Sequence, residues 1–484
     1  MRVARRDRER LRDLRSQCPQ QLPQPQRKRQ ESIVRKVDVH QTIDEAKFNK
    51  FHLNVLFWCA LVIIFDGYDL VIYGVVLPVL MKEWDLTPLQ AGSLGSAALF
   101  GMMFGALIFG PLSDRIGRKK VIMITVIIFS GVTFLNGFAE TPTQFAAMRF
   151  IAGLGIGGVM PNVVALMTEY MPRKIRSTMV AVMFSGYSVG GMTSAFLGMY
   201  LMPSHGWQSV FFVAGIPLLL LPLIWIFLPE AVGFLLKEGR KEEAGRLLAR
   251  VEPSYSPAAG DNFHLVTGQG RSVALVALFQ NGRLVSTLMF WVAFFSCLLM
   301  VYALGSWLPK LMNKAGYELG SSLSFLLVLN FGAIFGAIGG GWLADRFHLR
   351  RVLTIMFVIA ALSISALAIK NDMIVLYLLV AIAGATTIGS QILLYAYVAQ
   401  YYPLAIRSTG IGWASGVGRL GAISGPMLGG ALISLPLEMN FLAFAIPGAV
   451  AGLAISMVGR SAVHAPEEEK NLAFVGETGK LEVD

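Results

Sequence analysis

Asp66 and Asp69 stand three residues apart in Phe65-Asp66-Gly67-Tyr68-Asp69, inside an apolar run from about Leu53 to Leu80. A carboxyl group in the middle of a membrane-length run costs roughly 2.5–3.5 kcal/mol on insertion scales. Residues three apart share one face of a helix, and that face must turn to protein or to a water-filled cavity. Gly67 strips a side chain from it and lets a neighbour approach the backbone. An isolated carboxyl in such a place keeps its proton more readily, and an arginine partner has the reverse effect. A carboxyl that moves between the two settings can therefore carry a proton. Two cations, Arg149 and Arg419, also lie well inside apolar runs. At ~1.5 Å per residue, Asp69 lies roughly 20 Å into its run and Arg149 roughly 9 Å into its own from the other side, which brings them to similar heights. This predicts an Asp69–Arg149 pair, with Asp66 the more isolated acid. Arg419 lies in Gly416-Val417-Gly418-Arg419-Leu420-Gly421, where glycines leave room for a ligand. A guanidinium grips a carboxylate through two parallel hydrogen bonds, so Arg419 is the expected carboxylate anchor, with an acid across the bundle as the alternative partner. Tyr68, Tyr187, Tyr302, Trp307, Tyr395 and Trp413 are the aromatic residues available to stack on a ligand ring.

These residues need elements long enough to carry them across a bilayer. The chain of 484 residues is 55% hydrophobic and 15% charged, with mean hydropathy +0.60. A soluble domain carries nearer ~25% charge. Twelve apolar runs occupy about 54–80, 89–111, 119–139, 143–170, 177–202, 209–228, 287–311, 321–344, 351–369, 373–400, 408–434 and 439–459. Each approaches the ~20 residues that a spanning helix needs. The expected fold is an all-α membrane protein with twelve transmembrane helices in two six-helix bundles, 51–228 and 287–460, joined by a polar linker at 229–286. Residues 1–50 read as a disordered basic arm and 461–484 as a tail. The arm is not a signal peptide, because no apolar segment follows its arginines for some forty residues. Initiation near Val34 would remove most of it. Cys18, Cys59 and Cys297 suggest no disulfide framework.

The net charge of +11 belongs to loops rather than to a nucleic-acid surface. Arg115, Arg118, Lys119 and Lys120, then Arg173, Lys174 and Arg176, then Arg346, Arg350 and Arg351, then Arg407 fall in alternate loops. The positive-inside rule places these loops and both termini in the cytoplasm.

The two halves align at a constant offset of 231, pairing Gly74 with Gly305, Pro78 with Pro309, Gly101 and Gly105 with Gly332 and Gly336, and Gly153 with Gly384. Asp114-Arg115 pairs with Asp345-Arg346, and Arg176-Ser177-Thr178 with Arg407-Ser408-Thr409, at the same offset. Parallel repeats of this kind place a substrate site at their interface near the bilayer midplane.

The loop after the second run reads Gly110-Pro-Leu-Ser-Asp114-Arg115-Ile-Gly117-Arg118-Lys119-Lys120, and the second copy, Gly341 to Arg351, is degenerate, with His348 in place of the glycine. This resembles the signature of the major facilitator superfamily over residues 50–460. Its logic is an ion-pair latch at one membrane face, made and broken with conformation, for which Asp114, Asp345 and Glu169 supply carboxylates. Within that superfamily, Asp66-Gly67-Tyr68-Asp69 resembles the aromatic acid:proton symporter family. Arg149 in Arg149-Phe-Ile-Ala-Gly153, Glu169 in Glu169-Tyr-Met-Pro172-Arg173 and Leu228-Pro229-Glu230 match it too, although Ala231-Val232 replaces the usual Ser-Pro.

The resemblance implies proton-coupled import of a small aromatic carboxylate, of the benzoate or hydroxybenzoate class, across the bacterial inner membrane by alternating access. It implies a functional monomer in lipid, with protons as coupling ion and no cofactor, metal or nucleic acid. Asp66, Asp69 and Arg149 would then serve proton coupling. An anion entering a negative-inside cell works against ~2.3 kcal/mol per charge per 100 mV, and a co-transported proton cancels that charge. The rivals on the same fold carry muconate, another dicarboxylate or a polyol, or run as efflux antiporters. A receptor would need a folded output domain, for which the linker and termini are too short. The chain has no phosphate-binding loop and no metal-spaced Cys/His cluster, which argues against an enzyme.

Overall fold

A computed structural model describes residues 36–258, 261–264, 275–369, 371–402 and 404–459. The residues before 36 and after 459, and the side chain of Asp345, lie outside the described residues.

Twelve long helices follow one another: α1 (Lys50–Glu83), α2 (Pro88–Ile116), α3 (Arg118–Asn136), α4 (Pro142–Tyr170), α5 (Arg176–His205), α6 (Gln208–Val213 continued by Ile216–Phe227), α7 (Leu284–Lys314), α8 (Leu319–Arg346), α9 (Leu349–Ala366), α10 (Met373–Tyr401), α11 (Leu404–Leu432) and α12 (Leu437–Met457). Eleven of these, α6 counted as one, are long and apolar enough to cross a membrane, and α11 has the same length as α2, at 29 residues. The helices begin where capping chemistry allows. Asn49 accepts from the amides of Phe51 and His52, and Thr87-Pro88 and Thr141-Pro142 pair a hydroxyl cap with a proline in the first turn. α6 is broken at Ala214-Gly215, where Pro217 has no amide for the Val213 carbonyl, the Leu218 amide donates to Gly215, and the Ser130 hydroxyl donates to the Ala214 carbonyl that this leaves free.

The expectation of disorder across 1–50 is corrected for its last part. Lys36–Asp38 forms strand β1, paired in parallel with β2 (Asn262–His264) of the linker, and Val39–Asp44 is a short helix. Val37, Val39 and Ile43 are buried there, and Asp44 pairs with Arg176. Charge dominates the composition of the arm and hides these three apolar residues. The linker likewise folds into helices Val232–Lys237 and Lys241–Val251, the second on the spacing of Glu242, Glu243, Arg246 and Arg250. Asn49 Nδ2 donates to the Val251 carbonyl at 2.8 Å, tying the end of that helix to the start of α1.

The 231-residue repeat reappears as packing. A Cβ on Gly101 would overlap the Phe150 carbonyl and one on Gly332 the Ala381 carbonyl, while Gly105 meets Leu154 and Gly336 meets Ala385. Gly153 meets Ala98 and Gly384 meets Leu329. Every partner is again displaced by 231, so the same close α2–α4 contact is built twice, as α8–α10.

The two bundles touch mainly toward the end away from the basic loops. Gly74 abuts Gly305 between α1 and α7, and Gly92 and Gly430 bring α2 and α11 together through the carbonyls of Pro426 and Pro88. The Ser96 hydroxyl donates across the seam to the Ile423 carbonyl at 2.6 Å. Toward the basic end, a Cβ on Gly110, Gly341, Gly412 or Gly416 would meet nothing within 4 Å. No ion pair joins the bundles among the described residues. The recorded backbone contacts between the bundles therefore lie away from the basic loops, and beyond them, at the outermost end, Val79, Met202, Glu318 and Leu323 line a cavity between the bundles.

These contacts give opposite signs for one methyl group. Gly153→Ala should lose about 2–3 kcal/mol of stability through backbone overlap. Gly339→Ala, on an open stretch of α8, should gain up to about 1 kcal/mol of helix propensity. Thermal unfolding of both variants in detergent measures the difference.

Candidate transport site

The predicted pair exists. Arg149 Nη1 donates to Asp69 Oδ1 at 2.5 Å and Nη2 to the Asp69 carbonyl at 3.1 Å. The Thr133 hydroxyl donates to Asp69 Oδ2 at 2.7 Å. Asp69 and Arg149 are each 1% exposed, so α1, α3 and α4 are pinned together by a charge pair out of contact with solvent. The cost of burying two charges is met here by the second guanidinium bond and by the threonine, which occupies the other carboxylate oxygen. Thr133 escaped sequence reasoning, because a lone hydroxyl in an apolar run is common; its spacing from Asn136 on one helical face was the available signal.

Asp66, one turn away, has a different setting. It is fully buried, and neither of its oxygens has a hydrogen-bond partner among the described residues. Its electrostatic neighbours are Asp69 and, from the other bundle, Arg419. Gly67 beside it lies against the Tyr187 carbonyl of α5, where a Cβ would overlap backbone. The two acids thus share a face but not a setting: Asp69 is bonded within its own bundle, and Asp66 lies within electrostatic range of Arg419 in the other.

Around Asp66 the structure gathers residues from four helices. Tyr187 of α5 and Tyr302 of α7 lie within interaction range of one another across the seam. Arg419 of α11 is half-buried and sits within electrostatic range of Tyr302, Tyr395, Asp66 and Tyr187. The Tyr395 hydroxyl meets the Ser415 hydroxyl at 3.0 Å. The result is a guanidinium, a carboxyl group and three phenols, on the basic-loop side of the Gly74–Gly305 contact.

Three expected ring-stacking residues are not brought there. The Tyr68 hydroxyl donates to the Val210 carbonyl at 2.7 Å, which turns its ring into the first bundle toward α6. Trp307 is fully buried, donates to the Pro426 carbonyl at 2.8 Å and fills the space left by Gly429, so it binds α7 to α11. Trp413 is 45% exposed and stacks on Trp291 at 5.8 Å, about a third of a turn around α11 from Arg419. Sequence distinguishes none of these from site residues, because all are aromatics in apolar helices.

The signature loop forms a second cluster at the basic end. Gly117 sits at φ 99°, the left-handed region, and a Cβ there would collide with the Glu230 carboxylate. That carboxylate accepts from the amides of Lys119 at 3.1 Å and Ala231 at 3.0 Å, capping α3, which has no side-chain cap of its own. Arg118 pairs with Glu169, whose other oxygen accepts from the Gly233 amide at 2.9 Å. The loop thus fastens the start of the linker to α3 and α4. Asp114 and Arg115 are exposed and enter no ion pair among the described residues; the Asp114 backbone carbonyl accepts from Lys237 at 3.0 Å. In the second copy His348 has φ −62°, an ordinary backbone that needs no glycine, and Arg346 lies over the Trp342 ring at 4.0 Å.

Removing one member of the buried pair leaves its partner as an unpaired charge. Asp69→Asn or Arg149→Gln should cost about 3–5 kcal/mol of stability, and the double variant should recover part of that loss. Thr133→Val should cost about 1 kcal/mol. Denaturation in detergent micelles, read as a double-mutant cycle, checks all four values.

The model of the Major Facilitator Superfamily matches residues 59–347 and 330–480. The chain is 48% identical over 462 residues to the benzoate transport protein of Acinetobacter baylyi, covering 93% of this chain and 99% of that protein. It is 35% identical to a gallate transporter of Pseudomonas putida, over 89% and 96% of the two chains. A 4-hydroxybenzoate transporter from the same organism is 33% identical, over 89% and 97%. The inward-open xylose transporter of E. coli superposes with TM-score 0.66 at 15% identity, over 87% of this chain and 99% of that one, a likeness of fold. A chain with this helix order, internal repeat and signature loop, and with these relatives, is a membrane transporter rather than an enzyme, and it belongs to the major facilitator superfamily, among its transporters of aromatic acids.

Proposed function

We propose that this chain imports a small aromatic carboxylate of the benzoate or hydroxybenzoate class together with a proton, by alternating access. The observation that carries the reading is that Asp66 and Arg419, from opposite bundles, lie within electrostatic range of each other and of Tyr187 and Tyr302, with Tyr395 also in range of Arg419. A guanidinium flanked by phenols suits a benzoate-like ligand: the carboxylate takes the fork and the ring lies against the aromatic faces. Asp66 has no donor to stabilise a negative charge, so its neutral acid is the form that burial tolerates. It is the proposed proton carrier. Asp69 and Arg149 are the fixed pair against which it works: charge placed on Asp66 competes for Arg149. In this reading the basic loops and both termini face the cytoplasm, so the site opens inward and the Gly74–Gly305 contact closes it outward. The unit is a monomer in the bacterial plasma membrane, in contact with lipid, and protons are its coupling ion in place of any cofactor.

The exposed Asp114 and Arg115 fit this state. We assign them, with Gly110, Asp345 and Arg346, to a cytoplasmic latch that closes when the inner ends of α2 and α11, or of α5 and α8, come together.

Uptake of labelled benzoate and 4-hydroxybenzoate into proteoliposomes, with and without an inward proton gradient, tests the reading. Wild-type protein should accumulate substrate only with the gradient. Asp66→Asn should abolish accumulation while keeping exchange of labelled for unlabelled substrate. Arg419→Gln should raise KM about 10–100-fold, the scale of losing a charge-assisted pair. Accumulation indifferent to the gradient would remove the proton from the mechanism. Competition by muconate, with no competition by benzoate, would move the substrate to the dicarboxylates.

A further inference from the structure

The proposed proton carrier lies deep in the first bundle, and the seam above it is closed toward the outer face. Buried polar atoms without partners mark a separate approach. Asn136, the last residue of α3, is fully buried, yet neither Oδ1 nor Nδ2 has a hydrogen-bond partner among the described residues. One turn further in, Thr133 holds Asp69, which is held in turn by Arg149, whose Nε is also buried and unpartnered. One turn beyond Asp69 on α1, roughly 4.5 Å along the axis, comes Asp66 with both oxygens unpartnered.

Buried amides and guanidinium N–H groups left unpaired cost about 1–3 kcal/mol each, and proteins meet that cost with internal water. Such atoms also occur elsewhere among the described residues, at Ser194, Trp291 and Asn440 for example, but one set is aligned. Asn136, Arg149 and Asp66 descend in that order from the outer end of the first bundle, joined at the centre by the Thr133–Asp69–Arg149 contacts. The tyrosines nearest this line are occupied elsewhere, Tyr68 with the Val210 carbonyl and Tyr73 with the Ala91 carbonyl.

We propose that the first bundle contains its own proton path, running from the outer face through water held by Asn136 to the Asp69–Arg149 pair and on to Asp66, distinct from the substrate cavity between the bundles. The proposal rests on the proton-coupled reading above. Asn136 is a positioning residue: its amide donates to one water and accepts from the next, and it does not itself carry the proton. As one proton enters the water chain from the outer face, the innermost water gives one up to form the O–H bond of the Asp66 carboxyl group, so every water of the chain is left neutral. Arg149 stands in the middle of the line as a fixed positive charge, which repels hydronium and keeps the outer and inner segments from joining while it is paired with Asp69. That stopper is what a coupled carrier needs, since an uninterrupted path beside a cavity open to the cytoplasm would leak protons.

The test separates net proton-driven uptake from substrate exchange in proteoliposomes, with labelled benzoate as substrate. Exchange cycles the loaded carrier without releasing its proton, so it does not need the path. Asn136→Leu should slow gradient-driven uptake about tenfold, the scale of losing one buried hydrogen-bonding station, and leave exchange at the wild-type rate. Asn136→Ser, which can still hold water, should restore most of the uptake. Equal loss of uptake and exchange in Asn136→Leu would mean a packing role, and unchanged uptake would mean that protons take another route; either result overturns the path. Wild-type uptake that ignores the gradient would instead overturn the symport reading on which the path rests.

Discussion

The ion pair between Asp69 and Arg149 is the constraint on which the first bundle depends. Neither residue can face lipid, and neither can be left alone. Their union fixes the rotation of α1 and α4 about their axes and their relative height, and Thr133 adds α3 to the same knot. Once α1 is set this way, Asp66 has one direction left, toward the second bundle. A structural pair thus presents a reactive carboxyl to the seam where substrate passes, and the two acids acquire different settings from a spacing of three residues.

Close backbone approach is the second organising force. In lipid, helices gain nothing by hiding apolar surface from one another, so packing contacts and small residues decide which helices touch. Within each bundle, glycines seat α2 on α4 and α8 on α10 at equivalent positions. Between bundles, Gly74, Gly92 and Gly430 bring backbones together at one end only. The first set has equivalents in both halves and holds the bundles as units. The second set joins surfaces that must part in a transport cycle, and few polar bonds accompany it among the described residues, Ser96 to Ile423 being one.

The basic end is organised differently, by charge and caps. Glu230 caps α3, Glu169 joins Arg118 to the linker amide of Gly233, and Asp44 brings the segment before α1 onto Arg176. All of these contacts lie within the first bundle and the linker. The first part of the linker is therefore carried by the first bundle, whereas its last part belongs to the second, where Leu278 is buried and its carbonyl accepts from the Thr287 hydroxyl of α7 at 2.7 Å. That division leaves the inner faces of the two bundles free to separate, with Asp114 and Arg115 exposed between them.

Period, length and charge placement in the sequence determined the all-helical membrane fold, the repeat and its register, and the basic loops, because the cost of exposing polar backbone and charge to lipid leaves few alternatives. The same logic made the Asp69–Arg149 pair legible: two opposite charges at one depth must meet. Tertiary structure alone decided which aromatic residues join Arg419. Tyr187, Tyr302 and Tyr395 lie within its electrostatic range, while Tyr68, Trp307 and Trp413 are turned to Val210, Pro426 and Trp291. A ring is compatible with core, seam and lipid alike, so its type carries no address; the rotation of its helix supplies one. The strand at Lys36–Asp38 was hidden for a related reason, since its partner at Asn262–His264 is more than two hundred residues away and three-residue strands have no period to read. The orphaned atoms of Asp66 and Asn136 belong to the same class, because the lack of a partner is a property of everything packed around a residue and is written nowhere in its own neighbourhood of the chain.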